Sequence, residues 1–178
     1  MRSTGNRKKR PPQEEVLLDH VDSQLGRFFI LYRMAKGDCL LLKTAFSLET
    51  ITAFTTTNSL KKAHLPEEVR DQIEGYFEGR VRDFNLRYSL TGTPFEMMVW
   101  EKLKEIPYGE IRTYQWLARE VGNPRGVRAV GQALGKNPLP VILPCHRIIQ
   151  SDGKLGGYSS GVDIKRRLLD LEFYNSRG

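Results

Sequence analysis

Apolar positions fall in short runs over residues 16–54 and at helical spacing further along the chain. Phe28-Phe29-Ile30-Leu31-Tyr32 and Cys39-Leu40-Leu41-Leu42 flank the turn signal Ala35-Lys36-Gly37-Asp38, which predicts an antiparallel hairpin. Cys39 opens the second strand and reads as a small buried hydrophobe rather than a reactive thiol. Pro66-Glu67-Glu68 starts a helix with Val69, Ile73, Tyr76 and Phe77 on one stripe. Residues 1–13 show no apolar periodicity and close on Pro11-Pro12, so they read as a disordered basic arm.

A second unit begins near Ser89. Thr93-Pro94-Phe95-Glu96 is a helix start, with Thr as cap, Pro leading and Glu three residues after the cap. That helix takes Met97, Val99, Trp100, Leu103 and Ile106 as its apolar set and stops before Pro107-Tyr108-Gly109. Thr113 caps a short helix carrying Leu117, Ala118 and Val121. Gly122-Asn123-Pro124 closes it and opens the next, with Asn123 capping a helix from Pro124 to about Leu134 that stops at Gly135. Two short helices around a tight turn make a helix-turn-helix pattern. On the second, Arg128 projects amid Gly126, Ala129 and Gly131, as a probe or as a solvated Arg on an ordinary packed helix. Val141-Ile142-Leu143 then reads as a strand-like run that delivers Pro144-Cys145-His146-Arg147 to a bend.

The chain has 178 residues and a net charge of +7, which suits one ordinary domain or two small ones. The longest apolar run, Phe28 to Tyr32, is far short of the roughly 18 residues a bilayer span needs. Met1 is followed by polar and basic residues, so no signal peptide is expected. Two cysteines, Cys39 and Cys145, cannot form a disulfide framework, and a reducing compartment is the default. Charge is distributed unevenly. Residues 1–13 carry +5, residues 14–88 carry ten bases against twelve acids, and residues 89–178 carry thirteen bases against nine acids. A polyanion would be held by the second half, although a solvated surface with a solubilising tail fits the same charge.

A Cys beside a His is a weak motif alone. His20, His64 and Cys39 do not complete a ligand set around Cys145, so no metal is expected. Prolines at 138, 140 and 144 argue for a shaped backbone around Cys145 rather than an inert buried thiol. For nucleophilic work the thiol must ionise, which a His with a carboxylate behind it would promote.

Pro144-Cys145-His146-Arg147, preceded by Arg128-Ala129-Val130-Gly131 and Asn137-Pro138, resembles the O6-alkylguanine-DNA alkyltransferases. Gly157-Tyr158-Ser159-Ser160-Gly161 and Lys165, Leu168, Leu169 and Glu172 fit the same family, so the resemblance spans residues 88–173. It implies an α+β fold: a small N-terminal α/β domain over 14–87, then a mainly helical C-terminal domain over 88–178 with the helix-turn-helix. Residues 14–87 fit only loosely.

By resemblance, Cys145 is the alkyl acceptor, and His146 with Glu172 behind it takes the thiol proton through a water molecule. Asn137 braces the turn, and Tyr114 lends its hydroxyl proton to guanine N3. Arg128 enters the duplex in place of the flipped nucleotide. Thr113, Gln115, Arg125, Ala129 and Gly131 join it as the expected DNA-binding set. Pro140, Tyr158 and Ser159 line the base pocket, and the carbonyls of Cys145 and Ile148 receive the guanine amino group.

The implied activity is transfer of an alkyl group from O6-alkylguanine, and from O4-alkylthymine, to Cys145 in a single turnover. The implied partner is double-stranded DNA containing alkylated guanine. No cofactor, metal or membrane is expected, and the protein would act as a monomer. It would be cytoplasmic and nucleoid-associated in a prokaryote, nuclear in a eukaryote. Two departures stand out. Ser160 replaces a glycine common in relatives, which implies a tighter pocket rim, and the zinc-binding Cys/His set of some relatives has no counterpart. A lesion sensor with a vestigial Cys, and a thiol hydrolase using Cys145 and His146, remain as other readings. The hydrolase leaves Arg128 unexplained.

Overall fold

A computed structural model describes residues 15–54 and 60–177. The basic arm expected over residues 1–13 lies outside the described residues. Three strands, β1 (Val16–Ser23), β2 (Gly26–Ala35) and β3 (Asp38–Ala45), form an antiparallel meander. The hairpin between β2 and β3 closes at Lys36 and Gly37, both at positive φ, the two-residue turn whose twist suits paired strands. A short β4 (Leu60–Lys62) runs parallel to β1, so the order is β3-β2-β1-β4.

The continuous apolar run in β2 has a physical cause: the sheet is covered on both faces. Phe28, Ile30 and Tyr32 face the main core, where α2 (Glu67–Phe77) adds Ile73, Tyr76 and Phe77. Leu31 faces the other way and packs with Leu18, Ala45 and Ile51, the last from α1 (Leu48–Phe54). Cys39 is half-buried on β3, and burial pushes its thiol up to about 11, which agrees with the inert role expected of it.

The second half is helical. Thr93 and Glu96 form a reciprocal capping box at the start of α3 (Pro94–Lys102), and Leu103–Glu105 extends it as a 3-10 turn. Val99, Trp100, Leu103 and Ile106 enter the core, but Met97 is 38% exposed, a departure from the expected apolar set. β5 (Arg112–Thr113) leads into α4 (Tyr114–Glu120), capped by the Thr113 hydroxyl.

Two local expectations require correction. The next helix, α5 (Val127–Gly135), starts at Val127 rather than Pro124. The Gly126 amide bonds the Asn123 carbonyl at 2.8 Å, so Asn123 and Pro124 belong to the turn. Residues 141–143 are not a strand; they form a buried turn in which the Leu143 amide donates to the Leu139 carbonyl. The last helix, α6 (Val162–Asn175), starts after Gly161 at φ 93°, with no side-chain cap bond among the described residues. A 3-10 turn at Cys145–Arg147 and β6 (Ile148–Ile149), paired in parallel with β5, complete the fold.

One apolar core runs through both halves, from Val21 to Leu168. The edge strand β3 is stitched to the turn below the cysteine: the Thr44 amide donates to Pro138 O at 2.9 Å and its hydroxyl to Pro140 O at 2.8 Å.

Candidate functional site

Cys145 owes its position to an unusual stretch of backbone. Val141, a β-branched residue, sits at φ 78°, a region that costs a non-glycine residue about 1–3 kcal/mol. The strain is held by Asn137, whose Oδ1 accepts from the Leu139 amide at 3.0 Å and whose Nδ2 donates to Leu143 O at 2.8 Å. The same Nδ2 also donates to Sγ of Cys145 at 3.1 Å. Asn137 therefore shapes the turn and touches the sulfur.

Cys145 is 5% exposed, and burial pushes its thiol up. The Asn137 amide, the nearby Lys165 charge and the Tyr158 hydroxyl beside the sulfur work against that rise without cancelling it. The resting sulfur is thus a thiol, and its ionisation requires a base.

Behind the cysteine lies a buried cluster. His146 Nε2 is 2.8 Å from Glu172 Oε1. Arg147 grips the same carboxylate with Nε to Oε2 and Nη2 to Oε1, both at 2.9 Å, and donates from Nη1 to Ile106 O. The Tyr76 hydroxyl donates to Oε1 at 2.7 Å and the Gly109 amide to Oε2 at 3.1 Å. Burial opposes charge on Glu172, yet His146 and Arg147 hold its carboxyl far below the ordinary range. Burial also depresses His146, outweighing the pull of Glu172, so the imidazole is neutral. A neutral ring facing a carboxylate places its proton on Nε2. Its Nδ1 is then a free acceptor, and among the described residues that buried atom has no hydrogen-bond partner. The ring can therefore accept a proton there.

In front of the sulfur opens a cleft of about 640 Å³. Tyr114, Gln115, Arg128, Gly131, Cys145, Tyr158 and Ser159, all expected at the site, line it. Arg128 is exposed, and no hydrogen bond or ion pair among the described residues engages it. Burial, and then the neighbouring Cys145, push the Tyr114 phenol up, so it stands protonated and able to donate. Tyr158 is likewise held well above its ordinary value by burial, and among the described residues its buried hydroxyl has no partner of hydrogen-bond geometry.

Other expected residues lie elsewhere. Thr113 spends its hydroxyl on the cap of α4, accepting from Trp116 N at 3.1 Å. Gln115, though on the cleft lining, also ties the turn, donating to Pro124 O at 2.9 Å. Arg125 is exposed in that turn and Ala129 is half-buried on α5, both outside the cleft lining. Pro140 and Ile148 are buried and lie outside the cleft lining. Pro140 O accepts from Thr44, and Ile148 O accepts from Lys165 Nζ at 2.6 Å.

Three residues carry more than sequence reasoning assigned them. Lys165 is fully buried, donates to the carbonyls of Ile148, Leu155 and Gly157, and so clamps the rim of the cleft. Burial lowers its ammonium to about 8. Gly156 sits at φ 71°, and a Cβ there would fall 2.9 Å from the Tyr114 hydroxyl, so the close approach requires glycine. Tyr76 comes from α2, far from every motif.

Comparison with known proteins extends this picture. Residues 94–173 match the model of the 6-O-methylguanine DNA methyltransferase DNA binding domain. A methylated-DNA–protein-cysteine methyltransferase from Methanosarcina barkeri is 53% identical over 110 residues, 62% of this chain and 70% of that one. The crystal structure of Mycobacterium tuberculosis OGT in complex with DNA superposes with a TM-score of 0.76 at 36% identity, covering 90% of this chain and 94% of that one. The O6-methylguanine-DNA methyltransferase of Pyrococcus kodakaraensis gives 0.65 at 27% identity, covering 88% and 98%.

Proposed function

Because the chain belongs to the methylated-DNA–protein-cysteine methyltransferases, we propose that it repairs O6-alkylguanine, and O4-alkylthymine, by moving the alkyl group onto its own Cys145. One observation carries this reading: a buried thiol bonded by Asn137, with a neutral His146–Glu172 pair behind it, opens into the same cleft as the unpaired Arg128. No helix among the described residues is long and apolar enough to cross a membrane.

The bonds and protons balance as follows. The thiol proton passes through a water molecule to His146 Nδ1. The thiolate attacks the saturated carbon in line, an S–C bond forms, and the C–O6 bond breaks with its electron pair leaving on the guanine. Tyr114 gives its hydroxyl proton to N3 as charge develops on the base. Solvent then reprotonates Tyr114 and takes the proton from His146. The product is a thioether with no easy hydrolysis, so one molecule repairs one lesion and is spent.

A stacked base is out of reach of a buried sulfur, so the nucleotide must rotate out at a cost of a few kcal/mol. α4 and α5 serve as the helix-turn-helix, and Arg128 fills the gap in the stack. Small residues on α5, Ala129 and Gly131, suit close approach to a minor groove whose base code is degenerate. Thr113, Gln115 and Arg125 flank that approach. In this division of labour residues 14–87 form the α/β domain and residues 88–178 the DNA-binding and acceptor domain. The protein acts as a monomer on double-stranded DNA, in the cytoplasm of a prokaryote or the nucleus of a eukaryote.

Incubation with duplex DNA containing O6-methylguanine, followed by peptide mass spectrometry, tests the proposal. One added methyl on the Cys145 peptide is expected, and none on Cys145→Ala with DNA affinity retained. An unmodified Cys145, or label elsewhere, overturns it.

A further inference from the structure

We infer that Tyr76 is a positioning residue for the transfer: its hydroxyl, reaching across from α2, holds Glu172 so that His146 keeps Nδ1 open toward the thiol. This rests on the reading of His146 as the base that receives the thiol proton.

The hydroxyl has little freedom. Tyr76 is fully buried, and its ring meets Phe84 at 5.3 Å and Tyr108 edge-on at 5.8 Å. Tyr108 in turn carries the Arg147 guanidinium over its face at 5.7 Å. The Tyr76 oxygen is thus clamped 2.7 Å from Glu172 Oε1 and 3.4 Å from His146 Nε2. Oε1 accepts from three donors: Tyr76, Arg147 and His146.

The chemistry follows from that crowding. Each donor to a carboxylate oxygen lowers its basicity. A less basic Glu172 leaves the imidazole proton on Nε2 and makes Nδ1 a moderate base, neutral at rest. Without the Tyr76 hydroxyl the carboxylate pulls harder on Nε2–H, and the ring holds a second proton to higher pH. The groups facing this cluster are Glu172 and Lys165 from α6, Arg147 and Cys145 from the 3-10 turn, Tyr108 ahead of β5 and Tyr158 from the cleft rim. Tyr76 is the contribution of the sheet-bearing half, and it lies outside the matched segment 94–173.

The test is the pH dependence of two reactions in parent and Tyr76→Phe: methyl transfer from duplex DNA, and alkylation of Cys145 by iodoacetamide followed by peptide mass. The acid limb of both should move up by about half a unit, so the variant is about threefold slower at pH 6 and close to parent at pH 8. Coincident profiles overturn the inference. A Val69→Ala control thins the packing of α2 two turns away from the hydroxyl; an equal shift in that control also overturns it. Parent protein that takes no methyl from DNA sinks the transfer reading instead, and the iodoacetamide profiles still decide the role of Tyr76. The parent offers a check that needs no variant. Its Tyr76 hydroxyl proton should appear in the NMR spectrum as a slowly exchanging resonance with a nuclear Overhauser contact to the His146 ring, and a freely exchanging hydroxyl counts against the inference.

Discussion

Asn137 Nδ2 donates to Sγ of Cys145 at 3.1 Å while the same amide holds Leu143 O and the Leu139 amide. One side chain therefore shapes the turn and favours the thiolate that the turn presents. A hydrogen bond to a charged acceptor contributes about 1.5–3 kcal/mol. Asn137→Ala should slow methyl transfer on the order of tenfold to a hundredfold and move Cys145 alkylation by iodoacetamide to higher pH. The variant should also melt lower, since Leu139 N loses its acceptor and Leu143 O one of its two donors. Single-turnover rates and a thermal melt check both halves, and unchanged thiol titration would confine Asn137 to the backbone.

Arg128 shares the cleft with Cys145, and no hydrogen bond or ion pair among the described residues engages it. Its task, if it fills the stack, arises only with duplex substrate. Arg128→Ala should slow repair of duplex DNA on the order of tenfold to a hundredfold, against an extrusion cost of a few kcal/mol. Reaction with the free alkylated base should stay at the parent rate. Equal losses on both substrates would place Arg128 outside base extrusion.

Glu172 is held ionised by His146 and Arg147 in a fully buried site. Its folded carboxyl lies below the ordinary 4.5, so the stability it contributes is complete above that pH and declines as pH falls further. Glu172→Gln strands a buried guanidinium and should cost about 3–5 kcal/mol at pH 7. The gap between parent and variant should narrow as pH drops below 4.5. Urea denaturation at pH 7 and pH 4 measures it; a constant gap would mean that the carboxylate charge is not what stabilises the fold.

Lys165 clamps the carbonyls of Ile148, Leu155 and Gly157, the last on the cleft rim, with an ammonium lowered to about 8. Lys165→Met keeps the length and removes both donors and charge. Transfer at pH 7 should fall on the order of tenfold, about one unit of thiol titration. The difference should shrink above pH 8, where the parent side chain loses its own charge. Amide exchange of residues 155–159 should quicken in the variant. A pH-independent deficit would leave packing as the whole effect.

How much of this was legible beforehand depends on the range of the interaction. The β2–β3 hairpin, the α3 capping box and the Thr113 cap are local: their residues lie within a few positions and carry their own chemistry. The strand expected at 141–143 failed because apolar content resembles a strand, whereas the chain is bent by Asn137 and by Thr44, which is 96 residues from Pro140. The α5 start was misplaced because Asn123 and Pro124 form a turn as readily as a cap. Family motifs brought Cys145, His146 and Glu172 forward together. Tyr76 carried no signal, since a Tyr on the apolar stripe of a helix looks like core until the partner of its hydroxyl is known. Met97 fits the helical period and still lies exposed, because the stripe facing the core is narrower than the sequence suggests.

Cys145 and His146 are neighbours in the chain, but the carboxylate behind the imidazole arrives late. Glu172 lies 26 residues beyond His146, on α6, and its other anchors come from Arg147, Tyr76 and Gly109. While the chain is still emerging during synthesis, Cys145 has no oriented imidazole behind it and no Lys165 charge beside it. On the proposed single-turnover reading, the surroundings of Cys145 are complete only when α2 and α6 have both docked on the 3-10 turn, so a chain whose sheet-bearing half fails to fold would lose the reaction while keeping the cysteine.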